Sequence, residues 1–400
     1  MRRLTGGLIA LVAALAAAPP PPAAALDAEQ VRSRVVAALA QAGRYAGAYA
    51  VDLDDGRAIV AVRDSTPRIP ASVEKLFVTA TALLRWGPDH TLATRVVSAS
   101  ALQPDGTIPG DVWLVGGGDP TLGDAKLAAL AAAVRDAGVQ RVHGGVSADD
   151  LLFDRRRGTP RTGYAPDRDL GGRLGALVVA RGLQRDPAGH AARRFARHLR
   201  ALGVLVAGRT GKRRAPDEEL ATELAELPSP PVAELVRATT VPSDNFLAEM
   251  LLKGLGASFG ATGEGTTGTG ARTVLNTLGA HGITPRVVDG SGLSRANRTT
   301  PREVVRLLAH MERQEVAGAW RRSLAIAGRS GTLRDRMRRT PAAGRCRGKT
   351  GTIIGVSNLA GVCDTPGGRV AFAWLMNGVD PYGARRLQDR MTAALARYEG

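Results

Sequence analysis

The sequence predicts an α+β fold: an antiparallel sheet flanked by N- and C-terminal helices, beside a helical subdomain, the whole split by an inserted α/β domain. Three observations carry this expectation. Residues 346–352, 357–363 and 369–376 read as strands parted by short turns, and a helical pattern over 383–398 follows them. A second helical pattern opens the chain after Asp27, ahead of two further strand-like runs. Residues 87–231 then change texture to short strands, turns and helices, which marks an insertion. At 400 residues the chain has room for roughly two or three domains, each with its own core.

Taken in order, residues 1–25 read as a secretory leader. Arg2 and Arg3 precede an apolar run over 8–18, and Ala23, Ala24 and Ala25 give a small-x-small cleavage site. The run is shorter than the about 20 residues a membrane span needs. The mature chain is therefore expected outside the cytoplasm, in the periplasm, the cell wall or the extracellular space. Asp27 can cap an amphipathic helix reaching Gln41, and strands are expected over 48–53 and 58–62 around the turn Asp54-Asp55-Gly56. A helix over 72–85 comes next, with Leu76, Phe77, Val78, Leu83 and Leu84 on every face, so it should be buried.

The insertion, 87–231, carries strands over 94–98 and 111–115 around Pro104-Asp105-Gly106, a helix over 125–137 and a strand over 141–148. A basic helix over 190–202 and a strand over 204–207 lead into a charged, proline-bearing stretch over 212–231. Residues 26–86 and 232–400 are left as the two halves of one catalytic domain. In the second half, helical patterns over 231–237 and 245–255 bracket Ser243-Asp244-Asn245. Thr300-Pro301-Arg302-Glu303 is a capping box with proline at the first helical position, opening a helix to Met311.

The two cysteines, Cys346 and Cys363, lie on the strands either side of Ile354-Gly355. A hairpin centred there pairs Thr350 with Leu359 and Cys346 with Cys363, which brings the cysteine Cβ atoms into disulfide range. In an exported chain that pair is expected to be a disulfide.

The net charge of +17 suits electrostatic association with anionic cell-wall polymers. It does not point to nucleic acid. Aromatics are only 4% of residues, and no basic stretch is interleaved with them for base stacking. The histidines (His90, His143, His190, His198, His281 and His310) are scattered without HExxH or paired-cysteine spacing, so no metal site is expected. Gly263-Glu264-Gly265-Thr266-Thr267-Gly268 matches GxGxxG but follows a helix rather than a strand, and is read as a flexible loop. No cofactor is expected, and the absence of a GxSxG elbow argues against a Ser-His-Asp hydrolase.

The chemistry is carried by Ser72-Val73-Glu74-Lys75. A serine three residues before a lysine places both side chains on one helical face, a hydroxyl nucleophile beside an amine base. At the start of its helix, Ser72 also has a free N–H and a dipole that favours developing negative charge. Ser243-Asp244-Asn245 and Lys349-Thr350-Gly351-Thr352 complete the series SxxK, SxN, KTG, the signature of serine β-lactamases and penicillin-binding proteins.

With its flanks, the chain resembles the class C low-molecular-mass penicillin-binding proteins, the D-alanyl-D-alanine carboxypeptidase/endopeptidase family. The resemblance rests on Pro70-Ala71-Ser72-Val73-Glu74-Lys75-Leu76, Gly118-Asp119-Pro120-Thr121-Leu122, Ser243-Asp244-Asn245-Phe246-Leu247-Ala248-Glu249, Asp289-Gly290-Ser291-Gly292-Leu293-Ser294-Arg295 and Lys349-Thr350-Gly351-Thr352. It implies a penicillin-binding/serine β-lactamase-like domain acting on peptidoglycan stem peptides, with β-lactam antibiotics as covalent inhibitors. Ser72 is the expected nucleophile. Lys75 is its base, its proton affinity lowered by burial and by the charge of Lys349. Ser243 is the expected proton relay, and Asn245 the holder of the substrate amide. Lys349, Thr350 and Thr352 are the expected substrate-binding residues, with the N–H groups of Ser72 and Thr352 as the oxyanion hole. Asp244 and Glu74 are expected to be structural. A secreted β-lactamase and a non-catalytic penicillin-binding wall protein are the alternatives. No ExxLN-like deacylation element is present, which disfavours the β-lactamase. Val241-Pro242 ahead of Ser243 departs from the family pattern, because proline interrupts a helix expected to continue.

Overall fold

A computed structural model describes residues 24–400. The expected leader lies outside the described residues except for its last two positions. Asp27 caps α1 (Ala28–Ala42) through a reciprocal box with Gln30. The hairpin of β1 (Ala46–Asp52) and β2 (Ala58–Val62) follows, and a 3₁₀ turn over Ala71–Glu74 runs directly into α2 (Lys75–Trp86). The stretch 87–231 contributes β3 (Ala93–Ser98), β4 (Thr107–Ile108), β5 (Val112–Val115), α3 (Asp124–Asp136), β6 (Arg141–Val142) and β7 (Val146–Asp149). It continues with α4 (Pro187–Ala201), β8 (Leu205–Val206), β9 (Gly211–Lys212) and β10 (Thr222–Pro228). Beyond it come α5 (Val232–Thr240), α6 (Asn245–Phe259), α7 (Thr267–Gly279), α8 (Pro301–Glu312) and α9 (Ala317–Ser323). The chain ends with β11 (Ala325–Ile326), β12 (Cys346–Ile353), β13 (Val356–Thr365), β14 (Gly368–Asn377) and α10 (Pro381–Leu395).

One antiparallel sheet, ordered β11-β12-β13-β14-β1-β2, draws its strands from both ends of the chain. Its central strand β14 is buried on both faces, so Val370 to Met376 is a continuous apolar run. The faces still alternate. Val370, Phe372, Trp374 and Met376 pack with α1 and α10, whereas Ala371, Ala373 and Leu375 join the core of the helical subdomain. Small residues on the second face let α8 approach. The termini close the structure, since Leu26 exchanges backbone hydrogen bonds with Arg397 and Glu399.

The stretch 87–231 builds two other sheets. One is mixed and ordered β10-β3-β5-β7-β9, and the other is parallel and ordered β4-β6-β8. The strand expected over 141–148 is divided between them. It breaks at Gly144-Gly145, where a Cβ would lie 2.3 Å from Asp111 Oδ1 and 1.9 Å from Arg209 O respectively. The charged stretch over 212–231 also contains β10, which adds to the edge of β3. Its signal is weak because Leu224 is its sole buried residue, and Glu223 and Glu226 suit an exposed edge. Segment 151–182 leaves these sheets and packs Phe153, Leu170, Leu174 and Val178 against Phe246, Leu247 and Met250 of α6.

The GxGxxG match is tied down rather than loose: Thr266 caps α7, and Gly265 pairs with Phe153. Two of the scattered histidines meet, with His281 and His310 ring centroids 4.0 Å apart.

In the β12–β13 hairpin Thr350 faces Leu359 and Cys346 faces Cys363, as the turn at Ile354-Gly355 requires. The two cysteines form a disulfide and are buried beneath α10. Changing both to serine should lower unfolding free energy by about 3 kcal/mol, the scale for closing a loop of this length. Urea denaturation of oxidised native and double-variant protein checks this; equal midpoints would contradict a stabilising bridge.

Candidate active site

Ser72 owes its position to two asparagines on the sheet. Asn358 donates to the carbonyls of Ile69 (3.0 Å) and Pro70 (2.7 Å), and Asn377 accepts from the Ile69 N–H at 2.9 Å. The chain then turns through Ala71 in the left-handed region at φ 45°, a conformation costing roughly 1–2 kcal/mol for a residue with a Cβ. Neighbours lock the turn. A Cβ on Gly292 would lie 1.9 Å from Ala71 O, and one on Gly351 would lie 2.5 Å from Pro70 O. The expected helix over 72–85 is thus a tight turn holding Ser72, followed by α2 beginning at Lys75. The Ser72 N–H precedes the first bond of that turn, from Val73 N–H to Pro70 O.

Lys75 is fully buried, while Ser72 above it is partly exposed. Its Nζ lies 2.9 Å from Ser72 Oγ, 2.7 Å from Asn245 Oδ1 and 2.5 Å from the Ser291 carbonyl. The last two partners only accept. In the neutral amine they take both hydrogens, which leaves the lone pair aimed at the Ser72 hydroxyl. Burial lowers the Lys75 pKa from 10.5 to about 8; Asp289, Glu249, Asp244 and Glu74 oppose that shift. Burial is therefore the cause of the lowered affinity. The charge repulsion between the two lysines falls instead on Lys349, pushed well below its ordinary value by burial and then by Lys75.

Lys349, also fully buried, donates to Ser243 Oγ and to the Thr350 carbonyl, each at 2.8 Å. Ser243 is held in the left-handed region at φ 68° between α5 and α6. Pro242 fits because the helix has already stopped at Thr240. Asn245 is fixed at both ends, with Oδ1 accepting from Lys75 and Nδ2 donating to the Asp169 carbonyl at 2.7 Å. The structure thus joins Ser72, Lys75 and Asn245 in one hydrogen-bonded set and Ser243 with Lys349 in a second, the two lysines close enough for their charges to interact. Thr350 and Thr352 are less central. The Thr350 hydroxyl bonds Thr332 at 2.9 Å, and Thr352 is an exposed residue at the mouth of the hairpin.

Asp244 caps α6 through the Leu247 N–H and receives both guanidinium arms of Arg181, at 2.8 and 3.0 Å. Glu74 is fully buried, and neither carboxyl oxygen has a hydrogen-bond partner among the described residues. Burial, then Asp289 and Glu249, push its pKa well above the usual carboxylate range. In the loop after α7, Asp289 accepts from the Gly292 and Ser294 N–H groups and from Asn297 Nδ2. Arg295 donates to Ile354 O, tying that loop to the β12–β13 hairpin. The Gly118-Asp119 segment is away from this group and serves the insertion, with Asp119 accepting from Thr121 and pairing with Lys126 at 3.0 Å.

Sequence reasoning missed the carbonyls of Ser291 and Asp169, because a backbone acceptor leaves no residue-type signal. Asn358 and Asn377 did leave one, as amides next to apolar runs in β13 and β14. Among the described residues no three His, Cys, Asp or Glu side chains are placed to hold a metal ion.

A family model, the D-Ala-D-Ala carboxypeptidase 3 (S13) family, matches residues 28–169 and 176–398. A D-alanyl-D-alanine carboxypeptidase of Actinomadura sp. (strain R39) is 31% identical, over 90% of this chain and 82% of its own. Carboxypeptidase DacB of Mycolicibacterium smegmatis is 32% identical, over 86% of this chain and 78% of its own. The crystal structure of penicillin binding protein 4 (dacB) from Haemophilus influenzae superposes with a TM-score of 0.80 at 21% identity. It covers 91% of this chain and 99% of that one, and so shares the fold.

With Lys75 as the expected base, its charged form disfavoured by burial, acylation should accelerate with pH through a midpoint near 8. Acylation by a fluorescent penicillin, followed from about pH 6 to about 10, tests this; a flat profile would remove Lys75 as base. Ser72→Ala should take up no label at any pH.

Proposed function

The chain belongs to the D-Ala-D-Ala carboxypeptidase 3 (S13) family, and we propose that it is an exported serine D-Ala-D-Ala carboxypeptidase, with DD-endopeptidase activity, acting on peptidoglycan stem peptides. The observation that carries the reading is the hydrogen bond between Ser72 Oγ and a fully buried Lys75 amine. Lys75 takes the Ser72 proton as Oγ bonds to the carbonyl carbon of the penultimate D-alanine. The resulting oxyanion faces the Ser72 and Thr352 N–H groups. Collapse breaks the C–N bond, and the proton held on Lys75 passes by way of Ser243 to the departing D-alanine amine, which leaves Lys75 neutral again. Water then attacks the ester, with Lys75 as base, and returns the hydroxyl to Ser72.

Lys349 supplies selectivity for chain ends. Burial, and then the charge of Lys75, lower the pKa of its amine well below the ordinary value. An arriving terminal carboxylate compensates the charge, so lysine and substrate stabilise each other in a site shielded from water. A β-lactam presents a strained amide and a carboxylate to the same groups, so it should acylate Ser72 and remain there.

Residues 26–86 and 232–400 form the catalytic unit in this reading, and 87–231 the inserted unit. Support comes from the sheets, because the catalytic sheet uses only strands before Arg68 or after Ser323, and the other two sheets use only strands between them. Export is supported by the leader signals and by the disulfide. The net charge of +17 favours electrostatic association with anionic wall polymers.

Native protein should release D-alanine from a diacylated Lys-D-Ala-D-Ala peptide and from purified muropeptides. Lys349→Ala should lower kcat/KM by a factor of about 100 or more, part of it in KM, since the carboxylate is bound in ground and transition states alike. Enzyme that binds penicillin one to one yet hydrolyses neither substrate would mark a binding protein, and rapid nitrocefin turnover a β-lactamase.

A further inference from the structure

Of the two acceptors that orient the Lys75 amine, one is the side chain of Asn245 and the other the backbone carbonyl of Ser291. A backbone acceptor is only as well placed as the loop that carries it. The loop from Asp289 to Asn297 contains no helix or strand. Asp289 organises it from within, but that network does not fix the loop against α2.

Arg295 ties the far end of the loop to the β12–β13 hairpin, and at Gly290 and Ser291 the outside anchor is Glu249. Its Oε1 accepts from the Gly290 N–H at 3.0 Å and the Ser291 N–H at 2.8 Å. The side chain is fully buried, and Oε2 has no hydrogen-bond partner among the described residues. Glu249 lies four residues beyond Asn245 in α6, one turn along the same face. A single helix therefore presents both acceptors of Lys75, Asn245 Oδ1 directly and the Ser291 carbonyl through Glu249. Packing closes the loop from the other side, where Gly292 lies against Ala71 with no room for a Cβ.

We propose that Glu249 is a positioning residue for acylation: by gripping the Gly290 and Ser291 N–H groups it sets the Ser291 carbonyl on Lys75 and so aims the amine lone pair at Ser72. The proposal rests on the Ser72–Lys75 reading above. An acceptor oxygen at the right reach is what the role requires, not a charge. Burial, together with Asp289, pushes the Glu249 pKa up to about 7. A proton taken up there can sit on the unpartnered Oε2, leaving Oε1 to hold both N–H groups. The charged and titratable groups around Lys75 are Glu74 beside it, Asp244 and Glu249 on α6, Asp289 on the loop and Lys349 on β12.

Three substitutions separate reach from charge. Glu249→Gln keeps the oxygen and the length, Glu249→Asp keeps the charge but is one methylene short, and Glu249→Met keeps the length with no acceptor. Acylation by a fluorescent penicillin is resolved into a limiting rate and a non-covalent dissociation constant across pH, on protein whose folding is checked by thermal unfolding. The Gln variant should stay within about threefold of native in limiting rate, with a pH midpoint moved only downward, because the Glu249 charge no longer opposes the effect of burial on Lys75. The Asp and Met variants should lose a factor of about 100 in limiting rate, the scale for misplacing a reacting group by about 1 Å. Their dissociation constants should barely move. Their midpoints should shift to lower pH, because the ammonium form of Lys75 loses an acceptor. Either variant suffices if the other does not fold. A native rate and midpoint in Asp or Met, or a Gln variant as impaired as they are, would overturn the proposal. The underlying reading fails separately, if the native protein takes no label at Ser72.

Discussion

An amine sealed from water must have its hydrogens accepted by protein, and the rest of the site follows from meeting that demand at Lys75. Its partners come from three separate stretches of chain: the turn at Ser72, the start of α6 at Asn245, and the loop at Ser291. None of these stretches could satisfy the amine alone. An unpaired buried amine costs several kcal/mol, so the arrangement that seats it favours one relative placement of α2, α6 and the loop. The burial that makes the group expensive to fold around also lowers its pKa to about 8 and makes it usable as a base.

The same demand accounts for the strained and featureless residues nearby. Ala71 and Ser243 both adopt positive φ, at 45° and 68°, each at a cost of about 1–3 kcal/mol. Each sits where a chain must reverse sharply to aim a side chain into the cleft, one residue ahead of the Ser72 hydroxyl or at the Ser243 hydroxyl itself. Gly292 and Gly351 face the first reversal from two sides, and neither has room for a Cβ. These glycines permit close approach to the Ser72 turn, and Asn358 and Asn377 then hold that turn to the sheet by its backbone.

How much was legible in the sequence divides along the line between side chain and backbone. Alternation and turn chemistry placed the β12–β13 hairpin in register, so that Cys346 opposite Cys363 could be read from Ile354-Gly355 alone. The capping box at Thr300 and Glu303 appears as expected at the head of α8. The side-chain motifs at Ser72, Lys75, Ser243, Asn245 and Lys349 were visible because each uses a distinctive residue type. The Ser291 and Asp169 carbonyls were not, since any residue carries one. The strand over 222–228 was obscured by its edge position, where one face needs no apolar residues. Asp289 through Arg295 could be recognised as a motif without revealing that its working atom is a main-chain oxygen.

Residues 151–182 are tied directly to the helix that carries Asn245. Asp169 holds the Asn245 amide, and Arg181 grips the Asp244 carboxylate one residue earlier. Two turns farther along α6, the buried Lys253 pairs with Asp154 and donates to the Arg156 carbonyl at 2.9 Å. These contacts lie on the helix that also carries Asn245 and Glu249. Severing the Lys253 pair would leave a buried charge without its partner, which is costly enough that segment 151–182 and α6 should move together or not at all. The helix that orients Lys75 is therefore clamped between the loop at Ser291 and the inserted segment. A stem peptide entering along that segment would meet a surface fixed to the same element that aims the base. In the proposed reading, recognition of the peptide body and alignment of the nucleophile share one helix.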